Sequence, residues 1–259
     1  MGSCKKDSTK SITHTTAPPV DTTKTTSGPP VYALEWSDEF DGSSLDTTKW
    51  AIENRNPGVN NEKEYYLPDN VSINNGNLVL SAKKEIFSGQ PYTSGKITTF
   101  NKFTQLYGRI EARIKLPVGQ GMWPAFWMLG ANISTVNWPQ CGEIDIMEHV
   151  NADNTIYGTM HWNVNGHVQY GSTTQTTAAD YHIYAVEWDT KSIRWYVDST
   201  LYQIGNIANN INTTGAFHLP FFIILNLAVG GDFPGPNIDE SLLPESMYVD
   251  YVRVYKQTN

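Results

Sequence analysis

Cysteine is almost missing from this chain of 259 residues: Cys4 and Cys141 stand alone and far apart, so neither a disulfide framework nor a zinc cluster can be read from them. Positive charge is scarce as well. Eighteen Lys and Arg face twenty-six Asp and Glu, a formal charge of −8, with no basic cluster able to release counterions from a phosphate backbone. Nucleic acid is therefore not an expected partner. No run of about 18 or more apolar residues is available to cross a membrane as a helix. Amphipathic stretches with the helical period of about 3.6 residues are too short for a substantial helix, and no internal repeat is evident.

Aromatic side chains are abundant. They make up 12% of the chain against 17% charged residues, and the eight Trp and fourteen Tyr exceed what an ordinary core needs. Rings that show one face to solvent are one use for the excess. All-β sandwiches reach about 200–250 residues as one domain, so a single main domain is expected.

Residues 1–30 are rich in Ser, Thr, Pro and Lys and nearly devoid of large apolar side chains, which predicts a disordered tether. Its start, Met1-Gly2-Ser3-Cys4-Lys5-Lys6-Asp7, resembles the mature end of a bacterial lipoprotein whose cysteine carries lipid. The alternative is an accidental cysteine in a tail. From Tyr32 the pattern changes to short segments of alternating polarity separated by Gly, Pro, Asn and Asp, the signature of strands and turns. In Tyr107 to Leu116, Arg109, Glu111, Arg113 and Lys115 alternate with Ile110, Ala112, Ile114 and Leu116, predicting one wet and one dry face. Further strands are predicted at Leu78 to Ala82, Tyr184 to Trp188, Ile193 to Val197 and Val249 to Tyr255. Phe221 to Val229, apolar nearly throughout, should be covered on both faces. Short strands without a βαβ rhythm predict an all-β sandwich of two packed antiparallel sheets over residues 31–259.

Gly142-Glu143-Ile144-Asp145-Ile146-Met147-Glu148-His149 carries three acids in an apolar, strand-forming setting. On a regular strand Glu143 and Asp145 share a face, and Glu148 points the other way. A one-residue bulge near Ile146 or Met147 would return Glu148 to their side. Carboxyls held that close cannot all ionise easily, so one should keep its proton while another stays charged. Glycoside hydrolysis uses such a pair; retaining enzymes hold the two carboxyls about 5–5.5 Å apart, and two acids on one bulged strand suit that spacing. The same cluster could instead be a salt-bridged strand face or a calcium site. Aromatic company favours the catalytic reading: Trp123 and Trp127 precede the strand, while Trp138 and then His161-Trp162 follow it. Sugar rings stack their C–H faces on aromatic planes. Core packing is the plainer reading of Trp127 and Trp188, while Trp123 and Trp138 sit beside prolines in loop-like contexts that suit binding. Cys141 reads as a small buried apolar residue.

These residues resemble glycoside hydrolase family 16, in particular its laminarinase-like endo-β-1,3-glucanases. The likeness runs in order from Trp36-Ser37-Asp38-Glu39-Phe40-Asp41-Gly42 through Asn75-Gly76-Asn77-Leu78, Tyr92-Thr93-Ser94-Gly95, Tyr107 to Arg113, Trp123 to Trp127, the carboxylate strand and Leu225 to Gly231, ending in Val249 to Tyr255. It implies a β-jelly-roll of two curved antiparallel sheets with substrate along the concave face. Glu143 would be the nucleophile, Asp145 its assistant and Glu148 the acid/base. The resemblance also implies substrate contacts at Asn54, Lys96, Trp123, Trp127, Trp138, His161 and Asn226. Lys96 stands where many relatives have Arg, and an ammonium cannot reproduce a bidentate fork. No cofactor is implied for catalysis. One structural calcium is, held by Asp250 with backbone oxygens around Glu39 and Gly76.

The expectation is a retaining endo-β-1,3-glucanase, monomeric, acting on β-glucan polysaccharide and possessing scope for mixed β-1,3/1,4-glucan. Its location would be secreted, or the surface of a bacterium through a lipidated Cys4. Two rivals stay open: the same fold acting mainly on mixed-linkage glucan or on an algal galactan such as agar, carrageenan or porphyran, and a non-catalytic glucan-binding module. An acidic balance and many Trp argue for a neutral polymer, and the presence of all three acids argues against the module.

Overall fold

The computed structural model describes residues 30–259, and the tether with Cys4 lies outside them. Strands run in order β1 (Tyr32–Asp38), β2 (Ala51–Ile52), β3 (Glu64–Tyr66), β4 (Val71–Asn74), β5 (Asn77–Ala82), β6 (Tyr92–Ser94) and β7 (Lys96–Thr98). The middle of the chain supplies β8 (Gly108–Lys115), β9 (Met122–Gly130), β10 (Glu143–Glu148), β11 (Thr155–Asn163) and β12 (His167–Gln175). The last five are β13 (Tyr181–Trp188), β14 (Ser192–Val197), β15 (Thr200–Asn206), β16 (Phe221–Val229) and β17 (Glu245–Gln257). The one α-helix among the described residues is a single turn, Ile133–Val136.

Two antiparallel sheets form the jelly-roll. One has the order β15-β14-β13-β8-β17-β5-β4, with β1 added beside β17; the other is β12-β11-β10-β9-β16-β7-β2. Alternation explains how they pack. Ile110, Ala112 and Ile114 of β8 meet Val186 and Trp188 of β13 and Ile193 and Trp195 of β14 on the inner face of the first sheet. Phe126 and Met128 of β9, Ile144 and Met147 of β10, and Ile223, Leu225 and Leu227 of β16 close the core from the second. At about 25 cal/mol per Å² of apolar surface, this interior is the main force holding the sheets together.

The outer face of β8 is less wet than its alternation predicts. Glu111 is buried, and Arg109 binds both Glu111 (2.7 Å) and Glu187 (3.2 Å), so neighbouring strands roof the charges with their partners. A bulge in β17 between Val249 and Tyr251 lets Val249 and Val252 both face the core, which leaves Asp250 directed outward on the first sheet. β16 is buried along its whole length, as its composition predicts. Its two faces nevertheless serve different ends: odd-numbered residues enter the core and even-numbered ones floor a cleft.

Candidate active site

The cleft lies on the outer face of the second sheet and holds about 420 Å³, inside the range of roughly 300–1,000 Å³ usual for ligand sites. Its floor comes from alternate residues of neighbouring strands: Trp123, Ala125, Trp127 and Leu129 of β9, then Phe222, Ile224, Asn226 and Ala228 of β16. Glu143, Asp145 and Glu148 of β10 complete it.

All three acids share that face because β10 bulges. Asp145 pairs with Trp127 of β9 and Met147 with Phe126, so Ile146 is the extra residue. On the other side Asp145 pairs with Thr159 and Glu148 with Tyr157, which repeats the shift. Gly142 sets up the strand. Its φ is +80°, and a Cβ there would come within 2.9 Å of the Phe221 ring, so this entry to the strand suits glycine alone.

The carboxyls are deeply set: Glu143 is 0% exposed, Asp145 1% and Glu148 4%. Each has an orienting neighbour. His161 approaches Asp145 Oδ2 through Nε2 at 2.8 Å and Glu143 Oε1 at 3.8 Å, and its Nδ1 lies 2.9 Å from His167 Nε2. Trp195, reaching up from the core, donates to the Asp145 backbone oxygen at 2.8 Å. Trp123 donates its indole N–H to Glu148 Oε1 at 3.0 Å and stands edge-on to Phe233. Atoms of Glu143, Asp145 and His161 lie within 4.8 Å of one another, near enough to grip a metal ion. Two carboxylates with an imidazole suit a transition metal better than calcium, which prefers about six to eight oxygens.

Beside the acids, Trp127 donates to Asn226 Oδ1 at 2.7 Å, and Asn226 Nδ2 donates to the Tyr66 hydroxyl at 3.1 Å. The Lys96 ammonium sits over both rings, 5.3 Å from Trp127 and 5.5 Å from Tyr66. Trp127 is thus part of the cleft floor and not of the core that its composition suggested. Trp138 packs 4.6 Å from the His167 ring, next to the carboxylates' imidazole and outside the main cleft volume. Asn54 is exposed and does not line the cleft, whereas its neighbours Glu53 and Arg55 do. The backbone here is extended, with Glu53 N bonded to Lys96 O, so alternation turns Asn54 outward.

Residues that sequence reasoning missed include Glu62, Tyr66 and His167. The run Glu62-Lys63-Glu64-Tyr65-Tyr66, acids beside aromatics before a proline, was the available signal for the first two. His167 carries none, since only the pairing of β11 with β12 brings it to His161.

The positions matched to a calcium site meet at a corner of the first sheet. Val249 pairs with Leu78 and Val252 with Asp38, and a Cβ on Gly76 would lie 3.9 Å from Asp41 Oδ1. The oxygens are of the right kind, although the Glu39 carboxylate is taken by Arg253 (3.0 and 2.7 Å) and Asp250 accepts from Arg113 at 2.8 Å.

The sequence model of glycosyl hydrolases family 16 matches residues 60–253. The chain belongs to this family. This family 16 chain is 38% identical over 248 residues to the beta-glucanase of Rhodothermus marinus, an alignment covering 88% of the chain and 86% of that protein. Its fold superposes on the laminarinase catalytic domain of Thermotoga maritima with a TM-score of 0.80 at 42% identity, covering 88% of this chain and 99% of that one. The laminarinase of Rhodothermus marinus gives 0.82 at 36% identity, covering 90% and 100%. Other relatives are longer: the family 16 chain spans 35% of the clotting factor G alpha subunit of Tachypleus tridentatus and 63% of the keratan-sulfate endo-1,4-beta-galactosidase of Sphingobacterium multivorum.

Proposed function

We propose that the protein is a retaining, endo-acting β-1,3-glucanase in which Glu143 is the nucleophile and Glu148 the general acid/base. One observation carries the reading: the Ile146 bulge turns Glu143, Asp145 and Glu148 together into a cleft floored by tryptophans. Glu148 gives its proton to the glycosidic oxygen as the bond from that oxygen to the anomeric carbon breaks, and a Glu143 oxygen bonds the carbon. Water then attacks the same carbon, Glu148 takes the water's proton, and the bond to Glu143 breaks. The two inversions retain configuration. Asp145, held by His161 on the same strand face as Glu143, would orient Glu143, while Trp123 orients Glu148. Trp127, Asn226 and Lys96 receive the sugar ring and its hydroxyls.

Neighbouring structures include a non-specific endo-β-1,3(4)-glucanase crystallised with mixed-linkage oligosaccharides, at 38% identity and a TM-score of 0.81, which supports some turnover of mixed-linkage glucan here. Against Arg55, which pairs with Glu53, and Lys96, the cleft lining sets Glu62, Glu143, Asp145 and Glu148, an excess of acid unfavourable for a sulfated galactan. A calcium ion at Asp250, with backbone oxygens of Glu39 and Gly76, would tie the ends of the domain together and take no part in bond cleavage. Residues 1–30 would tether the domain to a bacterial surface through Cys4.

Purified protein incubated separately with laminarin, barley mixed-linkage glucan, curdlan and agarose, with the E143Q variant as control, tests the assignment. Oligosaccharides should appear from laminarin fastest and vanish in E143Q, whose melting temperature should match the parent's. Turnover retained by E143Q, or release from agarose alone, would sink it.

A further inference from the structure

Two glutamates meet in the segment that supplies Glu62 and Tyr66 to the cleft. Glu64 is 0% exposed; its Oε2 accepts from the Val229 backbone N–H at 2.8 Å, and its Oε1 meets no hydrogen-bond donor. None of the ion pairs among the described residues involves it. The neighbouring charge is another acid: Glu62 accepts from Asn60 Nδ2 at 2.9 Å and from the Tyr66 hydroxyl at 3.4 Å. Burial first, then the charge and contact of Glu62, push the Glu64 carboxyl well above its ordinary range. Burial and the same two acids likewise push the Tyr66 phenol up.

An ionised Glu64 would be a buried anion facing a second one without a cation between them. With a proton on Oε1 the same group becomes a donor, and the Glu62 carboxylate becomes its acceptor. We propose that Glu64 is a positioning residue kept as a neutral carboxylic acid, which donates to Glu62 and so holds Glu62, Tyr66 and Asn226 in place beneath bound sugar. The proton assignment stands on the buried Glu64 beside the half-buried Glu62, while the positioning role rests on the cleft being the glucan site. Tyr66 is the link, because it accepts from Asn226, which in turn accepts from Trp127. The other titratable groups around the pair are Tyr92, paired with Glu64 across β3 and β6, Lys63 in the preceding turn, and Lys96, whose charge lies over the Tyr66 ring; β16 contributes the Val229 N–H and the Asn226 amide, neither of which titrates.

The sign of the pH effect follows from the raised Glu64 value. Above the ordinary carboxyl range the unfolded chain releases this proton while the folded chain keeps it, so the stability Glu64 contributes is full at acid pH and declines as pH rises. Gln copies the shape and donor of the neutral acid and has no proton to lose. Melting temperatures of wild type, E64Q and E62Q should be measured from about pH 5 to about pH 9, with kcat and KM on laminarin at both ends. E64Q should gain on wild type steadily as pH rises, and E62Q should flatten the wild-type slope by removing the like charge. Laminarin KM should climb at the alkaline end in wild type and climb less in E64Q. Parallel melting curves for wild type and E64Q overturn the proton assignment; diverging curves with identical KM trends overturn the positioning role. Melting needs no substrate, so a protein that cleaves no glucan would defeat the glucanase reading separately. Should E64Q fail to fold, the infrared carbonyl band of a protonated carboxyl at neutral pH carries the test, and its being unaltered in E62Q overturns the pair.

Discussion

Within the site Asp145 and Glu148 are each held by a specific neighbour, His161 and Trp123, and the neighbours differ in kind. The indole N–H of Trp123 on Glu148 is a hydrogen bond in a site that is 4% exposed, so little water can replace it. Trp123→Phe keeps a ring against Ala228 and Val150 and deletes that donor together with part of the indole's packing against Phe233. A bond to a carboxylate is worth about 1.5–3 kcal/mol, or roughly ten- to hundredfold in rate, and the loss should fall on kcat with KM changing less. Steady-state kinetics on laminarin check this, and a raised KM at unchanged kcat would make Trp123 a sugar platform only. Cys141 illustrates the opposite case. It is fully buried, and burial together with the charge of Glu143 pushes its thiol up to about 12, which leaves it inert beside the reacting carboxylates.

Among the elements, β10 decides most. Side chains alternate faces along a strand, so one inserted residue reverses everything beyond it, and Ile146 is that residue. Deleting Ile146 would bring Glu143 and Glu148 four positions apart, so regular alternation would hold Glu148 on the cleft face and Met147 on the core face without a bulge. The expected result is a protein that melts below the parent, by about 2–5 kcal/mol for the lost buried side chain, and still shows laminarin hydrolysis that E143Q lacks. Activity assays and circular dichroism would read both, and loss of turnover in a folded protein would show that the bulge itself, and not only the shared face, sets the carboxyl geometry. The bulge was legible beforehand because three acids of mismatched parity only make chemical sense on one face. β9 and β16 were not legible in that way. Apolar residues occupy both of their faces, so no alternation marks Trp127 or Asn226 as cleft residues. The parallel pair of β3 and β6, three residues each, is too short to show a pattern at all.

At the scale of the whole molecule, the cleft lies on the second sheet and the Asp250 corner on the first. Calcium at that corner should therefore change stability and leave turnover alone. At free calcium about a hundredfold above its Kd the gain is about 2.7 kcal/mol, equivalent to roughly 5–10 °C in Tm for a domain of this size. Differential scanning fluorimetry with chelator and then added calcium, in wild type and D250N, measures it; an unresponsive wild type removes calcium from the account. The amino-acid sequence by itself determined the strands with one polar face, the two-sheet architecture and the acids of β10, because alternation and local parity are properties of neighbouring residues. Only the tertiary structure decided which apolar face floors the cleft, that Asn54 turns away, and that Glu62, Glu64 and Asn226 converge. Those contacts depend on strand order across the sheet, and strand order places side by side residues whose separation along the chain carries no local signal.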